Sequence, residues 1–480
     1  MSLKSSFLYG ALGGAAFFYG SSYWVTYSMI HYGGLPPWLA YGLTVIPAVA
    51  LGVFWGPFAL GVRWAVTRLG VVGVLMAPPL WALAEWGRYL ITGMGWNAFG
   101  YSQAFQSQMI QIARYTGVYG VSFFLVGASS LLVASLTLLW DREALLASAR
   151  RQMAMTLGLG GLLVVAIVAA WADSRTRAAD RMSHKEPLHI VGIQPNVPVE
   201  VSLDPEIHDL SFHRLVSLTE HELASDNQTD LVIWPESPLN LSLTRSLAVL
   251  QGVRPLVQQY RVYLLLNVIG ETVPDRVHNS VAVIDPGGGV VSEYHKVRLF
   301  PFGEYVPLRG VIPFLDRIPA LAGDFSPGHE YTLADIGQAQ IGSFICSESV
   351  MPEIARRLTG RGATLLVEVT NDSWFGPTPA ARQHLAHSIF RAVENSRDLI
   401  RVTNSGITVH VTPEGQLIGR TDLFREESRH WVVQAEEDNK LTIYTRYGDL
   451  FILLCACLCA VGFGVGLARN EMAHAKARRR

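Results

Sequence analysis

Phe344-Ile345-Cys346-Ser347-Glu348 decides how this chain is read. The apolar run from Ile341 to Ile345 predicts a buried strand, and the polar residues after it predict a turn into a helix. The cysteine at that junction stands apart from Cys455, Cys457 and Cys459, which share an apolar segment near the C-terminus. A lone thiol is either inert packing or kept for its reactivity. Helix amides and the local dipole beside Cys346 favour a thiolate. A nucleophile also needs a base for its proton and a donor for the oxyanion it creates. Trp234-Pro235-Glu236-Ser237 ends a second apolar strand in a carboxylate, and Tyr294-His295-Lys296-Val297-Arg298-Leu299-Phe300-Pro301-Phe302-Gly303-Glu304 supplies an ammonium and a further carboxylate. Singly, a Glu after a strand is ordinarily a loop or cap residue, and a lone Lys is ordinarily solvated. Together, Glu236, Lys296 and Cys346 make a set that does this chemistry without a histidine.

Around these motifs the chain alternates short β-rich runs with helical stretches. Strands are predicted at 188–193, 230–234, 263–268, 280–284, 341–345 and 363–369, and helices near 207–225, 350–360 and 380–397. Gly287-Gly288-Gly289 and Pro413-Glu414-Gly415 read as hairpin turns. The pattern is that of an α/β domain with a site on its loops. A net charge of −1 leaves no basic field for nucleic acid.

The charges are unevenly placed. Of 77 Asp, Glu, Lys and Arg residues, 66 lie in 172–480. The rest of the chain is a membrane section. Spans of about 20 apolar residues are predicted near 7–29, 37–56, 70–92, 116–140 and 153–172, with a sixth from Leu450 to Ala468. The first reads as a span rather than a signal peptide, because no small-residue cleavage site appears and more spans follow at once. This organisation gives an N-terminal membrane domain at 1–172, a catalytic domain at 186–447 and a C-terminal helix at 449–469. With Lys4 inside, Arg63, Arg68, Arg142, Arg150, Arg151 and the tail Lys476-Ala477-Arg478-Arg479-Arg480 also fall inside. The catalytic domain is then expected outside the cytoplasm, tethered at both ends, with Cys346 its lone thiol. Glu85, costly within a span, has Arg88 three residues on, which makes it either half of a structural ion pair or a functional contact.

Glu236, Lys296 and Cys346 in this order resemble the nitrilase superfamily, whose fold is an αββα sandwich. With membrane spans added, the chain is similar to one branch, the apolipoprotein N-acyltransferases of the bacterial inner membrane. The likeness covers nearly the whole chain. It rests on Gly95-Trp96-Asn97-Ala98-Phe99-Gly100-Tyr101-Ser102-Gln103, on Pro301-Phe302-Gly303-Glu304-Tyr305-Val306-Pro307, and on Thr370-Asn371-Asp372-Ser373-Trp374-Phe375-Gly376 with Gln383-His384. Thr403-Asn404-Ser405-Gly406-Ile407-Thr408 and Thr445-Arg446-Tyr447-Gly448-Asp449 complete it.

The resemblance implies Cys346 as nucleophile, Glu236 as general base and Lys296 as transition-state stabiliser. Glu304 matches a second carboxylate near the site, or a structural partner for Lys296, and Glu348 supports the site. Trp96, Tyr101, Phe302, Ser347, Asn371 and Trp374 are candidates for substrate binding, although Asn371, Asp372 and Trp374 equally suit a turn. His384 reads as a packed or capping residue. Three features depart from the family: Ser347 stands where a Tyr is usual, a downstream Trp is missing from Val197–Glu206, and two earlier spans are usual.

The implied reaction moves a phospholipid acyl chain, with phosphatidylethanolamine the expected donor, through a thioester to the α-amine of a diacylglyceryl-cysteine on an apolipoprotein. No cofactor is implied, and no zinc-type spacing points to a metal. The apolar, glycine-bearing stretch Leu308–Leu315 with Leu321–Gly323 is expected to form a mobile lid or membrane-dipping arm, or else a core-packed loop. The competing reading is a membrane-tethered amidase that uses water as acceptor. A scaffold without activity is disfavoured by the intact Glu, Lys and Cys.

Overall fold

Residue by residue, β1 (Leu188–Gln194) alternates between two dry environments: Leu188 and Ile190 join one core, Val191 and Ile193 another. A strand buried on both faces lies inside a layered sandwich. The computed structural model describes residues 2–140, 147–181, 187–198, 208–225, 228–236, 247–273, 276–307, 309, 324–435 and 440–478. These form two units: 27–35 with 178–445, and 1–26 with 36–177 and 446–480.

The first of these units holds two six-stranded sheets. One runs β12-β1-β2-β3-β4-β5, with β2 at Leu231–Ile233, β3 at Tyr263–Val273, β4 at Arg276–Ile284, β5 at Val290–His295 and β12 at Glu427–Val433. The other runs β11-β10-β9-β8-β7-β6, with β6 at Leu333–Asp335, β7 at Gln340–Ile345, β8 at Leu365–Thr370, β9 at Asp398–Thr403, β10 at Val409–Val411 and β11 at Leu417–Ile418. Three central strands of each sheet are parallel and the flanking ones antiparallel. Ile190, Ile233 and Leu265 of one sheet meet Ile341, Val367 and Ile400 of the other in a shared core. The opposite face of the first sheet is covered by helices His208–Ser225 and Leu247–Tyr260 through Leu215, Leu223, Val253 and Val257. Helix Ala380–Asn395, continuously buried from His384 to Asn395, packs on the second sheet with helix Pro352–Gly360. The layers are therefore α, β, β, α.

Both expected hairpin turns are present, Gly287–Gly289 between β4 and β5 and Pro413–Gly415 between β10 and β11. Helix Leu247–Tyr260 escapes the sequence reading, because Gly252 and Pro255 interrupt it. The expected arm, 308–315 with 321–323, lies outside the described residues apart from Arg309, as does most of Val197–Glu206.

In the second unit, four helical stretches among the described residues are long and apolar enough to cross a membrane: Pro37–Thr92, Val118–Trp140, Gly158–Ala178 and Leu450–Met472. Three details differ from the expected layout. The span near 7–29 is two helices, Leu3–Ser22 and Val25–His31, broken at Tyr23 and Trp24, and neither is among the four. Helices stand where the spans near 37–56 and 70–92 are expected, at Pro37–Gly52 and at Gly70–Met76 with Ala77–Thr92. The segment between them, which carries Arg63 and so read as a loop, is the helix Trp55–Leu69, and all lie in one 56-residue helical stretch. Residues 27–35 belong with the sheets rather than with the membrane helices. Leu3–Ser22 crosses Pro37–Gly52 at two glycines: a Cβ on Gly14 would sit 2.8 Å from the Gly52 Cα. Small residues let helix backbones meet this closely.

Glu85 and Arg88 act on one loop. Glu85 Oε1 accepts from the Phe99 amide at 2.7 Å, and Arg88 donates to the carbonyls of Met94 (2.6 Å) and Trp96 (3.0 Å). Both side chains are buried, so the pair shapes the Gly95–Gln103 motif. Trp96 packs against Trp24 with ring centroids 5.0 Å apart and planes tilted by 46°, and Tyr101 is buried in the same unit.

Candidate active site

Each functional side chain stands at the C-terminal end of a strand or on the loop beyond it, where an α/β sheet ordinarily presents its chemistry. Glu236 follows β2, Lys296 follows β5 and Cys346 follows β7. Lys296 is 1% exposed and Glu236 7% exposed. The Lys296 Nζ lies 3.8 Å from Glu236 Oε1 and 2.9 Å from Glu304 Oε2, with a hydrogen bond to Glu304 Oε1 at 3.0 Å. Glu304 is thus the nearer partner of the ammonium. It reaches there because its Oε2 also accepts from the Phe300 amide at 2.8 Å, which folds Pro301–Tyr305 into a tight turn. Phe302, at the tip, has a positive φ and a half-exposed ring.

Asn279 is a residue the sequence reading missed. Its Nδ2 donates to Glu236 Oε1 at 3.0 Å and to Glu304 Oε1 at 2.7 Å, and its backbone carbonyl accepts from the Lys296 amide at 2.8 Å. The available signal was a polar pair, Asn279-Ser280, inside the otherwise apolar end of β4. Glu236 Oε2 accepts from the Asn371 amide at 3.1 Å. The thiol of Cys346 feels the charges of both Glu236 and Lys296.

Cys346 does not open a regular helix. It begins a five-residue 3₁₀ turn, Cys346–Val350, with φ at +51°. A non-glycine residue there is strained by about 1–3 kcal/mol and needs its surroundings to hold it. Glu348 does part of this. Its Oε2 accepts from the Ile345 amide at 2.9 Å, and its Oε1 accepts from Tyr294 Oη (2.8 Å), the Val297 amide (2.8 Å) and the Arg298 amide (3.1 Å). One carboxylate therefore ties the cysteine turn to the lysine loop.

The electrostatics correct the expectation of a resting thiolate. Burial, and then the negative charge of Glu236, push the Cys346 thiol well above its ordinary range; Lys296 and the Thr370 hydroxyl pull it down without prevailing. Burial also raises the Glu236 carboxyl, opposed by Lys296 and Asn279 and reinforced by Glu304. For Lys296, burial favours the neutral amine, but Glu304 and Glu236 outweigh it and hold the ammonium charged. The arrangement is a protonated thiol beside a base of raised basicity and a fixed cation, which suits proton transfer at the moment of attack.

Of the candidate binding residues, Ser347 and Asn371 are buried beside the triad, and Ser347 Oγ and Asn371 Nδ2 have no hydrogen-bond partner among the described residues. Trp374 packs edge-on to Tyr32 at 5.2 Å, and its carbonyl accepts from Ser28 Oγ at 2.6 Å. Trp96 and Tyr101 lie in the membrane unit.

A two-sheet sandwich with Glu, Lys and Cys at its strand ends defines a nitrilase-type protein. Residues 199–447 match the carbon-nitrogen hydrolase family model, and residues 1–131 match the model of the apolipoprotein N-acyltransferase N-terminal domain. Apolipoprotein N-acyltransferases of Geobacter metallireducens (30% identity, 98% of this chain, 89% of the relative), Methylococcus capsulatus (31%, 97%, 89%) and Pseudomonas putida (31%, 95%, 86%) are similar throughout. The chain belongs to the apolipoprotein N-acyltransferase family, and its apolar helices make it an integral membrane protein.

Proposed function

We propose that the chain transfers an acyl group from a phospholipid, phosphatidylethanolamine first among donors, to the α-amine of the N-terminal diacylglyceryl-cysteine of a bacterial apolipoprotein. The observation that carries this reading is the burial of Glu236 and Lys296 together beside Cys346, a residue that is itself not fully enclosed. Glu236 takes the thiol proton as Sγ attacks the ester carbonyl, and Lys296 donates to the oxyanion. Collapse breaks the C–O bond, the leaving glyceryl oxygen takes the proton from Glu236, and a lysophospholipid departs. The acceptor amine then attacks the thioester and gives a proton to Glu236. The expelled sulfur recovers that proton, and the product is an amide.

Both substrates are lipid-anchored, so a catalytic domain tethered to a membrane meets them at high effective concentration. The basic residues flanking the apolar segments support an inner-membrane protein with its sandwich facing the periplasm. The amidase reading, with water as acceptor, is the weaker one, since relatives matched along both the membrane and the catalytic parts carry the transferase name.

Detergent-purified protein incubated with phosphatidylethanolamine and weighed intact tests the proposal. The expected result is an acyl adduct on wild type and none on Cys346→Ala. No adduct, with rapid ammonia release from small amides, rejects it in favour of the hydrolase.

A further inference from the structure

Behind the cysteine turn lies a second charged group that the reaction does not use. On adjacent parallel strands Glu368 and Arg401 stand in register, and their side chains form an ion pair. Arg401 Nη2 also donates to Asp372 Oδ2 at 2.8 Å. Helix Ala380–Asn395 lowers two residues of one face onto this pair: Ser388, whose Oγ donates to Glu368 at 2.5 Å, and His384. Glu368, Asp372, His384 and Arg401 are each no more than 2% exposed.

The imidazole of His384 makes polar contacts through both ring nitrogens. Nδ1 lies 2.7 Å from Asp372 Oδ1, and Nε2 lies 3.1 Å from the carbonyl oxygen of Cys346. A carboxylate and a carbonyl only accept. Nε2 therefore donates to the Cys346 carbonyl. Nδ1 lies between Asp372 Oδ1 and Arg401 Nη2, which stands 3.1 Å from it and also donates to Asp372 Oδ2. Arg401 is paired with both Glu368 and Asp372 in a dry interior, where an uncompensated charge is costly.

We infer that His384 is a positioning residue for the nucleophile: held by Asp372, it fixes the Cys346 carbonyl and so maintains the left-handed turn that aims Sγ at Glu236. The carbonyl has a second donor, Ser349 Oγ at 3.0 Å, and the two hydrogen bonds grip the strained residue from its own peptide. Only the turnover arm of the following test rests on the acyl-transfer reading.

The side-chain nitrogen of Gln overlays Nε2 and that of Asn overlays Nδ1, so the two substitutions separate the contacts. His384→Gln keeps a donor for Cys346, whereas His384→Asn keeps only the one for Asp372. The readouts are the alkylation rate of Cys346 by iodoacetamide, followed by peptide mass, kcat and KM with phosphatidylethanolamine, and Tm. The expected result is a loss of about tenfold or more in alkylation and kcat for Asn, with KM little changed, and within about threefold of wild type for Gln, at similar Tm. Equal alkylation rates for the two variants, or a loss confined to KM, overturns the inference. Alkylation that separates the variants while wild type forms no acyl adduct supports His384 and sinks the acyl-transfer reading instead. Should neither variant fold, Ser349→Ala weakens the same grip: slower alkylation supports the inference, and an unchanged rate overturns it.

Discussion

Lys296 Nζ stands 2.9 Å from Glu304 and 3.8 Å from Glu236, so the nearer charged partner of the ammonium is not the proposed base. The negative charge of Glu304 helps to raise the Glu236 carboxyl. In Glu304→Gln that repulsion is gone and Lys296 loses its nearer ion-pair partner, leaving the pair with Glu236. The acid limb of the kcat/KM profile should move to lower pH, and kcat should fall by about 10²-fold as the base weakens and the cation loses its seat. A pH–rate profile of acyl transfer measures both. An acid limb displaced upward contradicts this account.

Asn279 works in the opposite sense. Its amide donates to both carboxylates, and the bond to Glu236 lowers that group against the effect of burial. Asn279→Ala should therefore raise the Glu236 carboxyl further, and the acid limb should move upward by about one pH unit. Glu304→Gln and Asn279→Ala are both next to Lys296, so general damage to the site predicts no difference in direction between them. Opposed displacements are the signature of specific coupling.

The three motifs that meet at the candidate site were legible because each couples a candidate residue to a strand end: Glu236 after β2, Lys296 after β5 and Cys346 after β7. Local pattern sufficed for that. Asn279 was hidden because an amide within a strand resembles any polar residue on an exposed face, and only the packing of β4 against the Glu304 turn gives it two carboxylates. The protonation of Cys346 was misread for a related reason. The residues after it suggested helix amides, but the burial and the Glu236 charge that prevail come from the tertiary fold. In the membrane unit, Arg63 disguised the helix Trp55–Leu69 as a loop, since charge within an apolar stretch usually ends a span.

The raised thiol leads to a test in which losing the base makes the sulfur more reactive to a simple reagent. At rest, burial and then the Glu236 charge hold the proton on Cys346. Glu236→Gln removes the second of these while Lys296 stays. At pH 8 to 9 the variant should hold more thiolate, and iodoacetamide should label Cys346 several-fold faster than in wild type, since lowering a mostly protonated thiol by one pH unit raises its thiolate fraction about tenfold. Acyl transfer should fall by about 10²-fold or more, since no base remains for the attacking thiol or amine. Slower labelling in the variant means that Glu236 assists even alkylation by taking the proton, and that its charge is not what holds the thiol protonated.

Glu348 gives a prediction on stability. Burial pushes its carboxyl from 4.5 to about 7. A carboxyl raised by folding binds its proton more tightly in the native state, so its effect favours folding at low pH. That advantage is lost as pH rises from the unfolded value through about 7. A rise of this size corresponds to about 3 kcal/mol across the window. The ionised form is tolerated at higher pH because four donors converge on it: Tyr294 and the amides of Ile345, Val297 and Arg298. Glu348→Gln keeps an acceptor oxygen for three of them and turns an NH₂ group toward the fourth. The variant should be less stable at pH 5 by about 1–3 kcal/mol, and its Tm should change less between pH 5 and 7 than that of wild type. Thermal melts of the detergent-solubilised protein at several pH values decide it. Parallel curves for the two proteins mean that Glu348 does not titrate in this window, and that its four donors hold it ionised throughout.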